Sequence, residues 1–145
     1  MGYLTVHTEK GTPHAGIYLE FETPGWNPAW LGFFPVTFPL IATGEVKPFE
    51  RTGEVKEWAR WRLHDSILQS ARIKTVKQYH GTTYVLTIRD CVSFARDFAE
   101  NCGLRTAGMG YLMPEQLLSD LRILNGACTF CTPPRPGDVI DLGDV

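Results

Sequence analysis

The 145-residue chain is short of several things, and each shortage closes off a class of function. It has no excess of positive charge: 14 Lys and Arg stand against 16 Asp and Glu, a formal net charge of -2. No basic stripe is available to follow a phosphate backbone, so no nucleic-acid partner is expected. It has no long apolar run. The most apolar stretch, "WLGFFPVTFPLIA", is broken by Pro35 and Pro39 and is too short to span a bilayer, so no stable membrane insertion is expected. The first residues, "MGYLTVHTEKG", lack the basic start and apolar core of a signal peptide, and the chain reads as soluble. No internal repeat is visible.

Cysteine is scarce as well. Only Cys91, Cys102, Cys128 and Cys131 are present. Cys128 and Cys131 form a C-x-x-C, a spacing that suits a metal hairpin or a redox pair. Zinc would need two more ligands. Cys91 and Cys102 stand eleven residues apart on one expected helix and cannot chelate together. No metal and no organic cofactor are expected. Whether Cys128 and Cys131 join depends on the redox state of the compartment.

What is present is ordinary globular material, 43% hydrophobic and 21% charged, enough for one domain with a real core. Residues 3–7 read as a short strand. In "HAGIYLEFE", residues 14–22, Ala15, Ile17, Leu19 and Phe21 face one way, and His14, Gly16, Tyr18 and Glu20 the other. "TPGWNP" is a turn, and residues 29–34 suit the returning strand. Residues 40–53 read as a polar connection. Residues 54–71 read as a helix, with Trp58, Trp61, Leu68 and Ala71 as its apolar stripe. "TTYVLTI", residues 82–88, is β-branched and aromatic, and predicts a strand. Asp90 can cap a helix beginning at Cys91, which Gly103 ends. Pro114 opens a further helix whose stripe is Leu117, Leu118, Leu121 and Leu124. Helices and strands together give an α+β class with an antiparallel sheet packed against helices. Residues 1–126 form the expected main domain. Residues 127–145 form a Pro- and Cys-containing extension packed on it, with a short strand in "VIDL".

Cys91 is the residue with the most chemistry in its surroundings. At a helix start the unpaired amides and the macrodipole favour thiolate. Taken by its own stretch of chain, the same residue reads more readily as a small hydrophobe packed under a helix. His14 begins a strand, with Gly16 as the next residue on its face, and an imidazole there can take a thiol proton and return it to a leaving group. His7, His64 and His80 have plainer structural contexts. Gly16 and Tyr18 are the expected lining of a substrate cleft.

"HAGIYLE", residues 14–20, followed by "YVLTIRDCVSFARDFAENCGL", residues 84–104, resembles the circularly permuted NlpC/P60 group of papain-like proteins, which includes the lecithin:retinol-acyltransferase-like enzymes. "WLGFFP", residues 30–35, resembles a Gly-Phe-aromatic-Pro segment of some bacterial relatives. The resemblance spans roughly residues 12–124. It implies a permuted papain-like fold with Cys91 as nucleophile, His14 as base, and the Cys91 backbone N–H as oxyanion donor beside Asp90. Two positions differ from the family pattern. Asp90 stands where Asn is frequent, and "PAWLGFFP" supplies no polar residue to orient the imidazole. Glu20 and Glu22 lie too far along the strand to do so.

The resemblance implies a cysteine amidase or peptidase acting through an acyl-enzyme, with peptidoglycan peptides as substrate. A wall hydrolase without a leader would fit a bacterial effector toxin exported by a contact-dependent (type VI-like) system. It would act in a target periplasm and have an immunity protein as partner. Two alternatives stand beside this. One is an acyl hydrolase or acyltransferase on lipids or thioesters, using the same dyad. The other is a non-catalytic interaction domain on the same scaffold.

Overall fold

A computed structural model describes residues 1–9, 14–35, 41–48, 55–85, 89–108, 110–126 and 140–141. In chain order the elements are β1 (Gly2–Glu9), β2 (Ala15–Glu20), β3 (Ala29–Pro35), β4 (Ile41–Pro48), β5 (Val55–Leu63), α1 (Asp65–Tyr79), β6 (Thr83–Val85), α2 (Cys91–Asn101), α3 (Pro114–Leu124) and β7 (Ile140–Asp141). The strands form one sheet in the order β6-β4-β3-β2-β1-β5-β7. Its pairings are antiparallel except for β7, which runs parallel to β5 through Trp61↔Ile140. The class is α+β, with three helices packed against the sheet.

Alternation along the strands sorts the two faces. Leu4, Val6, Ile17, Leu19, Phe33, Trp61 and Leu63 are buried toward the helices, where Phe94, Phe98, Leu117 and Leu121 meet them in one hydrophobic cluster. Phe33 is its hinge, with ring centroids 5.0 Å from Tyr79 of α1 and 6.4 Å from Phe94 of α2. The outer face carries a second layer. Tyr18 stacks on Trp30 at 4.1 Å, His7 meets Trp30 edge-on at 5.1 Å, and Arg60 lies over Tyr3. Gly16 makes this layer possible, because a Cβ there would stand 2.5 Å from the His7 ring.

Two expected assignments change. Residues 54–71 are not one helix. Residues 55–63 form β5 and the helix starts only at Asp65. Ala59, Trp61 and Leu63 point inward while Trp58, Arg60 and Arg62 point outward, a two-residue period that sheet pairing with β1 makes decisive. Residues 41–48, inside the expected connection, form β4. Gly44 is needed there, since a Cβ would stand 2.1 Å from the Phe33 ring. The strand expected over 82–88 is β6 for Thr83–Val85, and residues 86–88 lie outside the described residues. So do Cys128 and Cys131, whose pairing is therefore not described, and all of the C-terminal extension except β7. That strand sits on the common sheet.

Candidate active site

Cys91 is the first residue of α2, and its position is fixed from the cap side. The Asp90 carboxylate accepts the N–H groups of Val92 (3.1 Å) and Ser93 (3.0 Å), while Ser93 Oγ accepts the Asp90 N–H at 2.8 Å. This reciprocal box satisfies three amides that the helix start would otherwise leave open. At the other end Gly103 adopts φ 89°, and the Leu104 N–H returns to the Ala99 carbonyl.

The sheet opens where Cys91 meets it. The β2–β3 ladder covers Ile17–Leu19 against Ala29–Leu31, although β2 begins at Ala15 and β3 runs on to Pro35. The Glu9 N–H donates to the His14 carbonyl at 3.2 Å, so His14 directs its main-chain groups toward β1. The next residue, Ala15, then directs its groups the other way, toward β3. There the Ala15 N–H donates to the Cys91 sulfur. The thiol thus occupies the opening between β2 and β3 from the helix side, one peptide away from His14. From the outer side the His14 ring bridges toward β3, stacked on Phe34 with centroids 4.9 Å apart and beside Gly32. Cys91 and His14 stand at the same end of β2, the thiol on the helix side of the sheet and the imidazole on the outer side, both 7% exposed.

Tyr84 of β6 completes the neighbourhood. Its hydroxyl accepts the Cys91 backbone N–H and contacts the Cys91 side chain. Burial first, then the nearby Cys91 and Asp90 charges, push the phenol upward. In the sequence Tyr84 reads only as part of the strand expected over residues 82–88. Its relation to Cys91 depends on how the chain turns from β6 into α2, which no local pattern encodes. The other site expectations lie elsewhere. The space above Gly16 is filled by His7, and Tyr18 is stacked on Trp30, so both belong to the outer layer, on the same face as the His14 ring and opposite Cys91.

Electrostatically both partners rest neutral. Burial pushes the Cys91 thiol up to about 11; the Ala15 N–H opposes this and the Asp90 charge adds to it. Burial lowers His14 to about 4. Burial thus disfavours the charged form of each group, and with it a resting thiolate–imidazolium pair. Cys102, at the other end of α2, is a buried free thiol held up at about 12 by desolvation alone, as a packing residue should be.

Among the described residues, no three His, Cys, Asp or Glu side chains converge as a metal site requires, and no helix is long and apolar enough to cross a membrane. An open groove of about 580 Å³ beside α3, lined by Tyr111, Glu115, Gln116 and Asp120 among others, contains none of the residues discussed above. In comparisons with known proteins, no family model matches the chain, and neither does any curated protein or solved structure.

Proposed function

We propose that the protein is a cysteine hydrolase of permuted papain-like type, with Cys91 as nucleophile and His14 as general base and acid. One observation carries the reading: the Cys91 sulfur at a helix start is docked on the Ala15 amide, directly after His14, in an opening of the sheet. A thiol serving only as core filler has no need of a polar main-chain contact at a helix start.

As sulfur attacks the carbonyl carbon of the substrate, its proton passes to His14. The oxyanion falls near the Cys91 N–H, and the Tyr84 hydroxyl, turned from acceptor to donor, is the second hydrogen bond. His14 then gives its proton to the leaving nitrogen, the C–N bond breaks, and a thioester remains. Water attacks the thioester while His14 takes a proton from it. The C–S bond breaks, and the sulfur recovers the proton. No metal or organic cofactor takes part in this scheme.

The substrate class follows from the resemblance alone: an amide in peptidoglycan peptides, with export to a target periplasm and an immunity protein as the accompanying proposals. A non-catalytic interaction domain is the second reading, and the neutral, buried resting pair is the observation that favours it. Purified muropeptides and acylated lipids, each incubated with wild type, Cys91→Ala and His14→Ala, separate these readings by mass spectrometry of products. Turnover of a muropeptide lost in both variants supports the amidase. Turnover that survives either substitution overturns the dyad, and release of fatty acid alone moves the substrate class to lipids. Tight protein binding by Cys91→Ala, with no turnover in wild type, favours the interaction domain.

A further inference from the structure

Arg89 lies two residues before Cys91, and the structure ties it to another helix altogether. Its Nε donates to Thr82 Oγ1 at 3.0 Å and its Nη2 to the Gln78 carbonyl, while the guanidinium carbon stands 4.3 Å above the centre of the Tyr79 ring. Gln78 and Tyr79 end α1, so the cation sits on the Gln78 carbonyl at the negative end of that helix. Its main chain is held too: Arg89 and Val85 exchange N–H···O bonds of 2.7 and 3.0 Å. The following residues are tied to the same place. The Tyr79 hydroxyl donates to Asp97 at 2.5 Å and is hydrogen-bonded to Ser93, whose Oγ accepts the Asp90 N–H. The C-terminus of one helix therefore grips, through a single planar side chain and one phenol, the junction that presents the nucleophile of the next.

We propose that Arg89 is a positioning residue for Cys91: by capping the C-terminus of α1 it fixes the start of α2, so that the sulfur stays in the opening between β2 and β3 with its N–H beside Tyr84. A simple surface arginine would leave the site alone when shortened. Here the fork spans two acceptors and a ring face, which an ammonium cannot do at once. Arg89→Lys keeps the charge and loses the grip. Misplacement of a nucleophile by a fraction of an ångström to one ångström costs up to a hundredfold in rate.

The activity arm of the test rests on the hydrolase reading; the labelling arm does not. Peptide-resolved mass spectrometry follows iodoacetamide labelling of Cys91 between pH 6 and 11 in the full chain. The titratable groups that set this profile are Asp90 beside the thiol and Tyr84 on β6. In Arg89→Lys the junction loosens and the thiol gains solvent, so the labelling profile moves down by about one pH unit toward an ordinary thiol. The kcat falls roughly tenfold or more with KM unchanged, while the melting temperature stays within a few degrees. Thr82→Val removes one of the two fork contacts and gives a smaller shift of the same sign, which keeps the question answerable if Arg89→Lys folds poorly. A labelling profile unchanged in both variants overturns the proposal, whatever happens to stability. If the profile shifts but wild-type turnover does not depend on Cys91, the positioning role stands and the hydrolase reading falls.

Discussion

The Tyr84 hydroxyl sits on the backbone N–H of Cys91, the one main-chain donor that a thiol nucleophile at a helix start always carries with it. In the resting molecule this contact satisfies a buried amide. In the proposed reaction the same place is where negative charge would develop, and the hydroxyl would have only to rotate its proton toward the oxygen. Tyr84→Phe keeps the ring against Phe33 and removes the donor. Loss of one oxyanion donor is expected to lower kcat by roughly a hundredfold, with KM nearly unchanged. Steady-state kinetics together with a circular-dichroism melt check this, and a Tyr84→Phe enzyme as fast as wild type removes Tyr84 from the mechanism.

Asp90 works in two directions. Its carboxylate caps α2, and its charge discourages ionisation of the neighbouring thiol. Asp90→Asn separates the two, since Asn caps a helix about as well as Asp. The variant should melt near the wild-type temperature, while Cys91 ionises at lower pH. Alkylation at pH 8, measured on the Cys91 peptide, is expected to rise severalfold. An unchanged rate would mean that the Asp90 charge does not reach the sulfur.

The outer layer depends on a missing side chain. A Cβ on Gly16 would stand 2.5 Å from Nε2 and 2.6 Å from Cε1 of His7, a fully buried ring wedged between β2 and Trp30. Gly16→Ala must push that ring aside, which costs roughly 1–3 kcal/mol as overpacking does elsewhere. Urea denaturation measures it. A loss below a few tenths of a kcal/mol would show that His7 can move freely.

Much of this architecture is legible in local pattern, and the rest fails for identifiable reasons. The Asp90 cap and the Gly103 stop mark α2 because both act through the backbone of the residues beside them. The alternation of Ala15, Ile17 and Leu19 marks β2 because one face of it is buried. The stretch before α1 misleads because Trp58 and Trp61 are spaced like a helix stripe, whereas they point to opposite faces of a strand. Trp58 is only half-buried in the outer layer, so its apolar character says nothing about the core. β4 hides behind Gly44 and Glu45, a glycine required by the approach of Phe33 and a charge on the face away from it. At the site, the order of His14 and Cys91 along the chain is visible. The contacts of Cys91 with Ala15 and Tyr84, and of Arg89 with the end of α1, arise only when distant segments meet.

His14 ties stability to acidity, and the sign follows from its burial. The folded protein holds the imidazole at about 4, against an ordinary value of 6.5 in the unfolded chain. Above pH 6.5 the ring is neutral in both states and stability is at its full value. As pH falls below 6.5 the unfolded chain takes up a proton that the folded protein refuses. Stability is lost progressively until about pH 4, where the folded ring protonates as well. The whole loss from this one group is roughly 3 kcal/mol, about 1.4 for each pH unit. His14→Gln cannot take up the proton in either state, so its stability should be flatter than wild type between pH 6.5 and 4. Urea midpoints at pH 7, 5.5 and 4.5 give the comparison. Parallel losses in the two proteins would mean that His14 is not held neutral by its place between Phe34 and the start of β2.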